Sequence, residues 1–410
     1  MPDEHHPPRR ILLADADAFF VAVARLVDPE GAGKAPLLIV GGAAGSRGVV
    51  CSASYETRRF GVRSAMPISR ALRLCPDAMC VPVPRRACGV KHREIRAVLE
   101  RFTPSVQAAS IDEWYLDLGG TERLHGGVSL EDIAHRIRGE VIAATGLSVS
   151  LGGGTSKLVA KLAVERAKPK PGTGANGVHV VAPGAELDFM RQLALADIPG
   201  IGPKSTARLA DAGLRTVEDV LALDAAALAR LVGVRDAAWL AERVRGVDHA
   251  EVAEREVAKS ISRDETFDRD LDDDLLLEGE LAELVGRAAA DLRSDALTAR
   301  TVTVRIRDRD FTTRQASRTV EEALESDRAL FAVARQLFAK LRRARRVPAR
   351  LLGVALSNFT TPPSVQLGLF EASRAPLETR KDRDVSRAMD AVRARFGRDA
   401  IAPGRKPRSS

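Results

Sequence analysis

"ASIDEWYLDL", residues 109–118, sets two adjacent acids, Asp112 and Glu113, inside an otherwise apolar, strand-like run, with Asp117 four residues on. A buried carboxylate is costly unless it is paired or bound to a metal. On a continuous strand neighbouring side chains leave opposite faces, so Asp112 and Glu113 could not share a ligand. At a hairpin tip they could, and "SIDE" between two strand-like runs allows one. The opening stretch "ILLADADAFFVAV" (11–23) offers further acids: a buried strand ends in Asp15 and Asp17, which share a face, and runs on into a helix. Acids meeting from two strand ends repel each other. Divalent metal ions relieve that repulsion, and Mg²⁺ prefers a few carboxylates plus substrate phosphates. Two such ions about 4 Å apart would activate an attacking hydroxyl and stabilise a leaving pyrophosphate. The competing reading at this level is acids on loop ends with no chemical role.

The chain has 410 residues, 45% of them hydrophobic, enough for two to four domains with real cores. No apolar run approaches the roughly 18 residues of a membrane span, and "MPDEHHPPRR" lacks an apolar signal core, so a soluble cytoplasmic protein is expected. Four cysteines (51, 75, 80 and 88) are too few and too clustered for a disulfide scaffold. Cys75, Cys80, Cys88 and His92 lack the CxxC knuckle of a zinc site and read as thiols in a reducing compartment. The net charge of +8 is uneven: "KLRRARRVPAR" (340–350) carries no acid, and "RTVTVRIRDRDFTTRQASR" (300–318) holds six arginines against Asp308 and Asp310. Two basic segments beside a strand pattern point to a polyanion surface that includes Arg305 and Arg307.

Strand-like "APLLIVGG" and "GVVCSASY", then helical "AMPISRALRLC" and "HREIRAVLERF", precede the acid-bearing hairpin; helical "TSKLVAKLAVERA" follows it. Pro/Gly-rich "KPKPGTGANG" (168–177) reads as a link, residues 186–250 as helical, and 259–358 as helices with two strands, "TVTVRIRD" and "ARLLGVALSNF". The last 40 residues are polar and basic with one short helical stretch, "VSRAMDAVRARF".

Groups suited to a triphosphate lie between and beyond these strands. "SYETRRFG" offers Tyr55, Arg58 and Arg59, and "GGGTSKLVAKLA" offers Lys157 and Lys161 four apart on a helix face. The GxxxxGK[ST] spacing of a P-loop is absent. "DIPGIGPKSTARLADAGLRTVEDV" (197–220) reads as a helix–hairpin–helix, in which Gly200, Gly202 and Lys204 would bring backbone N–H groups and a charge to a DNA phosphate.

Taken in order, "DADAFF", "SYETRRFGVRSAMP", "SIDEWYLDL", "TSKLVAKLA…KP", "IPGIG", "KSISRDETF" and "QLGLF" resemble the Y-family translesion DNA polymerases of the DNA polymerase IV (DinB) branch, over about residues 10–370. The resemblance implies a multidomain α+β right hand. Its parts would be a palm over 1–17 and 86–172, small fingers over 18–85, a helix–hairpin–helix thumb over 173–252, a little finger over 257–360 and a tail over 361–410. It implies Asp15, the Ala16 carbonyl, Asp112 and Glu113 as ligands of two Mg²⁺ ions. Tyr55, Arg58 and Lys161 would hold the triphosphate, and Phe20 would be the steric gate against a ribose 2′-hydroxyl. "QLGLF" (366–370) resembles the peptide by which such polymerases dock on the β sliding clamp, with Gln366, Leu367, Leu369 and Phe370 as contacts. Asp17 and Asp117 read as structural.

The implied activity is template-directed, low-fidelity DNA synthesis from a primer by a monomer that binds primer-template DNA and dNTPs. A non-catalytic DNA- and clamp-binding scaffold and a palm-type nucleotidyl cyclase are the alternatives. Three departures from the family stand out: Val23-Ala24 where it usually has Val-Glu, Gly153 where it has a branched residue, and the 40-residue tail.

Overall fold

The computed structural model describes residues 8–169, 174–253, 258–360, 376–397 and 400–401. They form two compact units divided after residue 255. In the first, β1 (Ile11–Ala16) and α1 (Phe19–Val27) lead to β2 (Leu38–Gly41), β3 (Val50–Ala53), α2 (Tyr55–Arg58), α3 (Ile68–Leu74) and β4 (Met79–Pro82). Then come α4 (Arg85–Leu99), β5 (Val106–Ala108), β6 (Glu113–Asp117), α5 (Leu130–Thr145), β7 (Val149–Gly154), α6 (Lys157–Ala167) and β8 (Val178–Val180). The unit closes with α7 (Glu186–Arg191), α8 (Pro203–Asp211), α9 (Val217–Leu221), α10 (Ala225–Val232) and α11 (Val234–Arg243).

Every residue of β1 is buried because the strand is central, in a sheet ordered β5-β6-β1-β7-β8. Period-two alternation sorts its side chains. Leu12 and Ala14 join a core with Trp114, Leu116, Ile133 and Ile137, whereas Ile11 and Leu13 pack on Ala160 and Val164 of α6. Helix α6 lies so close to β7 that a Cβ on Gly152 would stand 2.1 Å from the Val164 amide nitrogen and 2.3 Å from the Ala160 carbonyl oxygen. Only glycine permits that approach. At Gly153 a Cβ would fall 2.9 Å from both Leu12 Cδ2 and Val180 Cγ2, so two neighbouring side chains fill the place of a branched residue and α6 keeps its seat. Ala24, the other internal departure, is buried among Val21, Ala32, Leu38 and Val40, where a carboxylate would have no partner in the cluster.

A second sheet, β3-β2-β4, packs with α3 around Ile39, Val50, Ile68 and Ala71. Helices α7 to α11 share a third core, into which α6 turns Leu158, Val159 and Leu162.

The second unit contains β9 (Ser260–Leu271), α12 (Asp274–Ser294), β10 (Thr298–Asp308), β11 (Thr313–Leu324), α13 (Asp327–Ala344), β12 (Ala349–Thr360) and α14 (Arg380–Phe396). Its antiparallel sheet runs β11-β10-β12-β9. The sequence pattern predicts only two of these four strands. The other two, β9 and β11, are edges, and they bury only Ile261 and Phe267, and Val320 and Leu324, respectively. An edge strand needs little apolar surface, so it shows no alternation strong enough to read.

Helix α14 starts earlier than the expected stretch, at a capping box between Thr379 and Asp382. Its only buried residue is Ser386. Polar contacts attach it instead. Arg293, 6% exposed, grips Asp390 with two hydrogen bonds of 2.6 and 3.0 Å, and Arg387 pairs with Glu325 at 2.8 Å. Just before the helix, the Glu378 carboxylate accepts the backbone N–H groups of Glu325 and Ser326 at 2.9 and 2.6 Å.

The basic run 340–350 is less of a polyanion surface than its composition predicts. Arg342, 4% exposed, pairs with Asp272 and Asp274 at 2.9 and 2.6 Å. Arg345 and Arg314 converge on the fully buried Asp308 at 2.6 and 2.9 Å. These arginines are internal counter-ions, whereas Lys340, Arg343 and Arg346 are exposed. The proposed clamp residues Gln366, Leu367, Leu369 and Phe370 lie outside the described residues. Among the described residues no helix is long and apolar enough to cross a membrane.

Candidate active site

Strand register assembles the centre of the site. β1 pairs antiparallel with β6 so that Asp15 stands opposite Glu113, and both share the face of Ile11, Leu13 and Tyr115 that α6 covers. Lys161 of α6 forms an ion pair with Glu113. Lys168, the residue that ends α6, lies 3.0 Å from Asp15 and 2.6 Å from Glu165. Lys157, one turn before Lys161, is engaged elsewhere: it donates to Gln107 at 2.6 Å and sits 4.5 Å above the Tyr115 ring.

Asp15 is 7% exposed, and burial raises its pKa from 3.8 to about 6 against the pull of Lys168, with Glu113 pushing the same way as burial. Burial works against the Lys168 ammonium too, but Asp15 and Glu165 outweigh it and hold its pKa above the usual value. At Asp15, burial thus outweighs the pull of Lys168 and the weaker pull of Lys161.

Asp112 is on the turn between β5 and β6, as a shared ligand set requires. The turn is closed by the Ala109 N–H donating to the Glu113 carbonyl, and the Ala16 N–H donates to the Asp112 carbonyl, both at 2.9 Å. The Asp112 carboxylate accepts from the Ser110 hydroxyl at 2.5 Å. The structure thus sets Asp15 beside Glu113 and ties Asp112 to the same corner by backbone. Among the described residues, however, no three acid, histidine or cysteine side chains converge as a metal cage. Asp17 accepts from the Ser148 and Ser150 hydroxyls at 2.7 Å each, which ties the turn after β1 to β7, and Asp117 accepts from the Gly119 N–H at 2.9 Å within its own turn.

Tyr55 opens α2 and is 42% exposed. Burial raises its pKa first and Asp17 second, with smaller effects from Arg58, Lys168 and Asp15, which places the phenol in the field of the acid corner. Arg58 sits 5.2 Å from the Tyr55 ring and donates through Nε to the Ala53 carbonyl at 2.9 Å. Between β1 and α1 the chain turns sharply at Ala18, whose φ of 46° lies in the left-handed region that non-glycine residues rarely adopt. That turn buries Phe19 and leaves Phe20 half-exposed, the two rings edge to face at 5.6 Å.

In the helical part of the first unit, Gly200 has φ 100° and its Cβ would meet the Trp239 ring at 2.7 Å. Gly202 caps α8, with Pro203 at its first turn and Lys204 exposed beside it. In the second unit, Arg305 and Arg307 alternate with buried Val304, Ile306 and Asp308 on β10, which sets them on the sheet face away from the helical core. Arg305 lies 3.6 Å from Asp264, and Arg307 donates to Thr313 at 3.0 Å.

Sequence reasoning missed Lys168. Its signal was present: it is the lysine of the Lys-Pro pair that closes the "TSKLVAKLA…KP" motif. Its place past the end of α6 sets it outside the four-residue spacing that Lys157 and Lys161 share.

Two models of the impB/mucB/samB family match the chain, the family model over residues 14–165 and its C-terminal domain over 258–369. A tandem helix-hairpin-helix model matches 193–244. The chain is 35% identical over 397 residues to a DNA polymerase IV of Dehalococcoides mccartyi, covering 97% of each sequence. It is 39% identical over 353 residues to one of Methanoculleus marisnigri, covering 85% of this chain and 94% of the relative. Among solved structures it resembles a Y-family DNA polymerase chimera (Dbh-Dpo4-Dbh) with a TM-score of 0.76 at 25% identity, covering 86% of this chain and all of the other. DinB from Sulfolobus solfataricus matches over the same shares at 25% identity with a TM-score of 0.56.

Proposed function

The chain belongs to the impB/mucB/samB family, and on that premise we propose that it is a translesion DNA-directed DNA polymerase that extends a primer with deoxynucleotides along a template. The observation that carries the reading is the strand register that sets Asp15 against Glu113 under two lysines, in a chain aligned nearly end to end with DNA polymerase IV relatives.

The donor set suits a hard cation. Asp15, the Ala16 carbonyl, Asp112 and Glu113 offer oxygen only, and Asp15 is buried in register with Glu113. These residues would hold two Mg²⁺ ions. Bound there, the ions would supply Lewis-acid activation of the primer 3′-hydroxyl and charge neutralisation at the leaving pyrophosphate. The protein's own groups do the rest. Tyr55, Arg58 and Lys161 hold phosphoryl oxygens of the incoming nucleotide, and Lys168 joins them from its place beside Asp15. Phe20 faces the sugar and excludes a 2′-hydroxyl.

Residues 1–17 and 86–172 form the palm, 18–85 the fingers, 173–252 the thumb and 257–360 the little finger. Gly200, Gly202 and Lys204 meet duplex phosphates from the thumb, and Arg305 and Arg307 do so from the little finger. The "QLGLF" peptide (366–370) takes the β sliding clamp, and the protein works as a cytoplasmic monomer.

Primer extension with Mg²⁺ and single dNTPs tests this. Templated addition by the wild type, abolished in Asp112→Ala with DNA affinity retained, is the expected result. DNA binding without any addition by the wild type would replace the polymerase with a scaffold, and template-independent cyclisation of a triphosphate would replace it with a cyclase.

A further inference from the structure

The turn that carries Asp112 has a support that belongs to neither strand. From α4, the His92 ring touches both flanks of the acid pair. Its Nδ1 lies 2.8 Å from the carbonyl oxygen of Ile111, the residue before Asp112. Its plane stacks on the indole of Trp114, the residue after Glu113, at 5.0 Å between centroids and 29° between planes. A carbonyl only accepts, so Nδ1 carries the proton and donates.

The contact has leverage because of which group it holds. The Ile111 carbonyl and the Asp112 N–H belong to one rigid peptide plane. Fixing that carbonyl fixes the plane, and with it the direction in which the Asp112 side chain leaves the backbone. The Asp112 carbonyl on the next plane is held by the Ala16 N–H at 2.9 Å. Trp114 offers the turn no polar hold of its own. It is fully buried and its Nε1 has no hydrogen-bond partner, so packing alone holds it, including the stack with His92.

We propose that His92 is a positioning residue for the metal-ligating acids, setting the Asp112 peptide plane through its Nδ1–H while its ring braces Trp114. The inference rests on the polymerase reading above.

Two variants separate the hydrogen bond from the stack. His92→Phe keeps a ring on Trp114 and removes the donor; His92→Asn keeps a donor near the Nδ1 position and removes the ring. For His92→Phe the expected result is a fall in kcat of ten- to a hundredfold, the scale of a misplaced reacting group. Kd for primer-template should stay within about twofold, since DNA binding does not depend on the aim of Asp112. Mn²⁺ binding to the nucleotide-free protein, read by electron paramagnetic resonance, should weaken severalfold. His92→Asn should recover most of both kcat and Mn²⁺ affinity. Wild-type kcat and Mn²⁺ affinity in His92→Phe would overturn the proposal. So would His92→Asn proving the worse of the two, since that assigns the effect to stacking. A wild type that fails to extend primers would sink the polymerase reading itself, and the Mn²⁺ comparison would still judge His92.

Discussion

Replacing Arg293 with methionine should release α14 from the second unit without unfolding that unit. Arg293 is almost wholly buried and serves three partners: Asp390 through two hydrogen bonds, Asp327 at 2.9 Å and the Glu325 carbonyl at 2.5 Å. Burial already raises the Asp327 pKa, and Arg293 is the foremost group pulling it back down. Removing the central cation of such a buried network costs about 3–5 kcal/mol, because Asp327 and Asp390 keep only the long contacts of Arg393, 3.9 Å from each. α14 has little to set against that loss, since it fully buries only Ser386. At about 1.4 kcal/mol per decade, the docking equilibrium should shift by roughly a hundred- to a thousandfold or somewhat more. Hydrogen exchange by mass spectrometry reads this directly: α14 amides should lose protection by that factor, while the interior of α12 around Leu281 to Ala289 keeps its own. A triple variant, Arg293→Met with Asp327→Leu and Asp390→Leu, should redock the helix. Exchange in α14 within threefold of wild type would refute the reasoning, and an equal rise in α12 and β10 would show that the network belongs to the core. Primer extension on naked DNA should not change, because the acid corner lies in the other unit.

Phe20→Ala should raise ribonucleotide incorporation relative to deoxynucleotide at least tenfold, about 1.4 kcal/mol of lost discrimination; an unchanged ratio in competition assays would assign the sugar contact to another side chain. Gly153→Val should overpack against Leu12 and Val180 and cost about 1–3 kcal/mol in urea unfolding of the first unit, followed by its two tryptophans, Trp114 and Trp239. The Asp219 pKa is lowered by the backbone N–H groups of Arg215 and then Thr216, so its contribution to the α9 cap is complete above about 3.8 and lost only as pH falls further. Amide exchange in α9 should therefore match between pH 5 and 7 once corrected for intrinsic rates, rise at pH 3, and lose that dependence in Asp219→Asn. Deleting 366–370 should reduce synthesis only when the β clamp is present, and an equal loss without clamp would make the segment structural.

The acid corner was legible because β1 is apolar on both faces up to Asp15, and because "SIDE" could only be a turn if its acids were to meet. What stayed hidden followed from polar surfaces serving internal ends. β9 and β11 carry charges on both sides because an edge strand needs few apolar anchors. The first turns of α14, Arg380 to Asp384, read as a solvated tail because they dock through ions rather than an apolar stripe. Arg342 and Arg345 looked like phosphate contacts because their counter-ions, Asp272, Asp274 and Asp308, are distant in sequence. Gly153 and Ala24 looked like losses until the side chains that fill or surround those places came into view. Nor does any periodicity forecast that a histidine twenty residues upstream of Asp112 would meet the loop before it.

The register that pairs Asp15 with Glu113 also bears on how the chain finds its fold. β1 is held by β6 on one side and β7 on the other, so it can slip only by breaking two ladders together. A slip of one residue would turn Asp15 and its neighbours to the opposite face, driving a carboxylate toward Trp114 and the apolar core, away from both lysines. The neighbouring registers are therefore the ones that strand a charge without a partner. The acids act as a checksum on strand pairing: a chain that has them facing α6 has aligned its central sheet correctly. Replacing both with leucine would remove the chemistry and, with it, the penalty that keeps misaligned sheets rare.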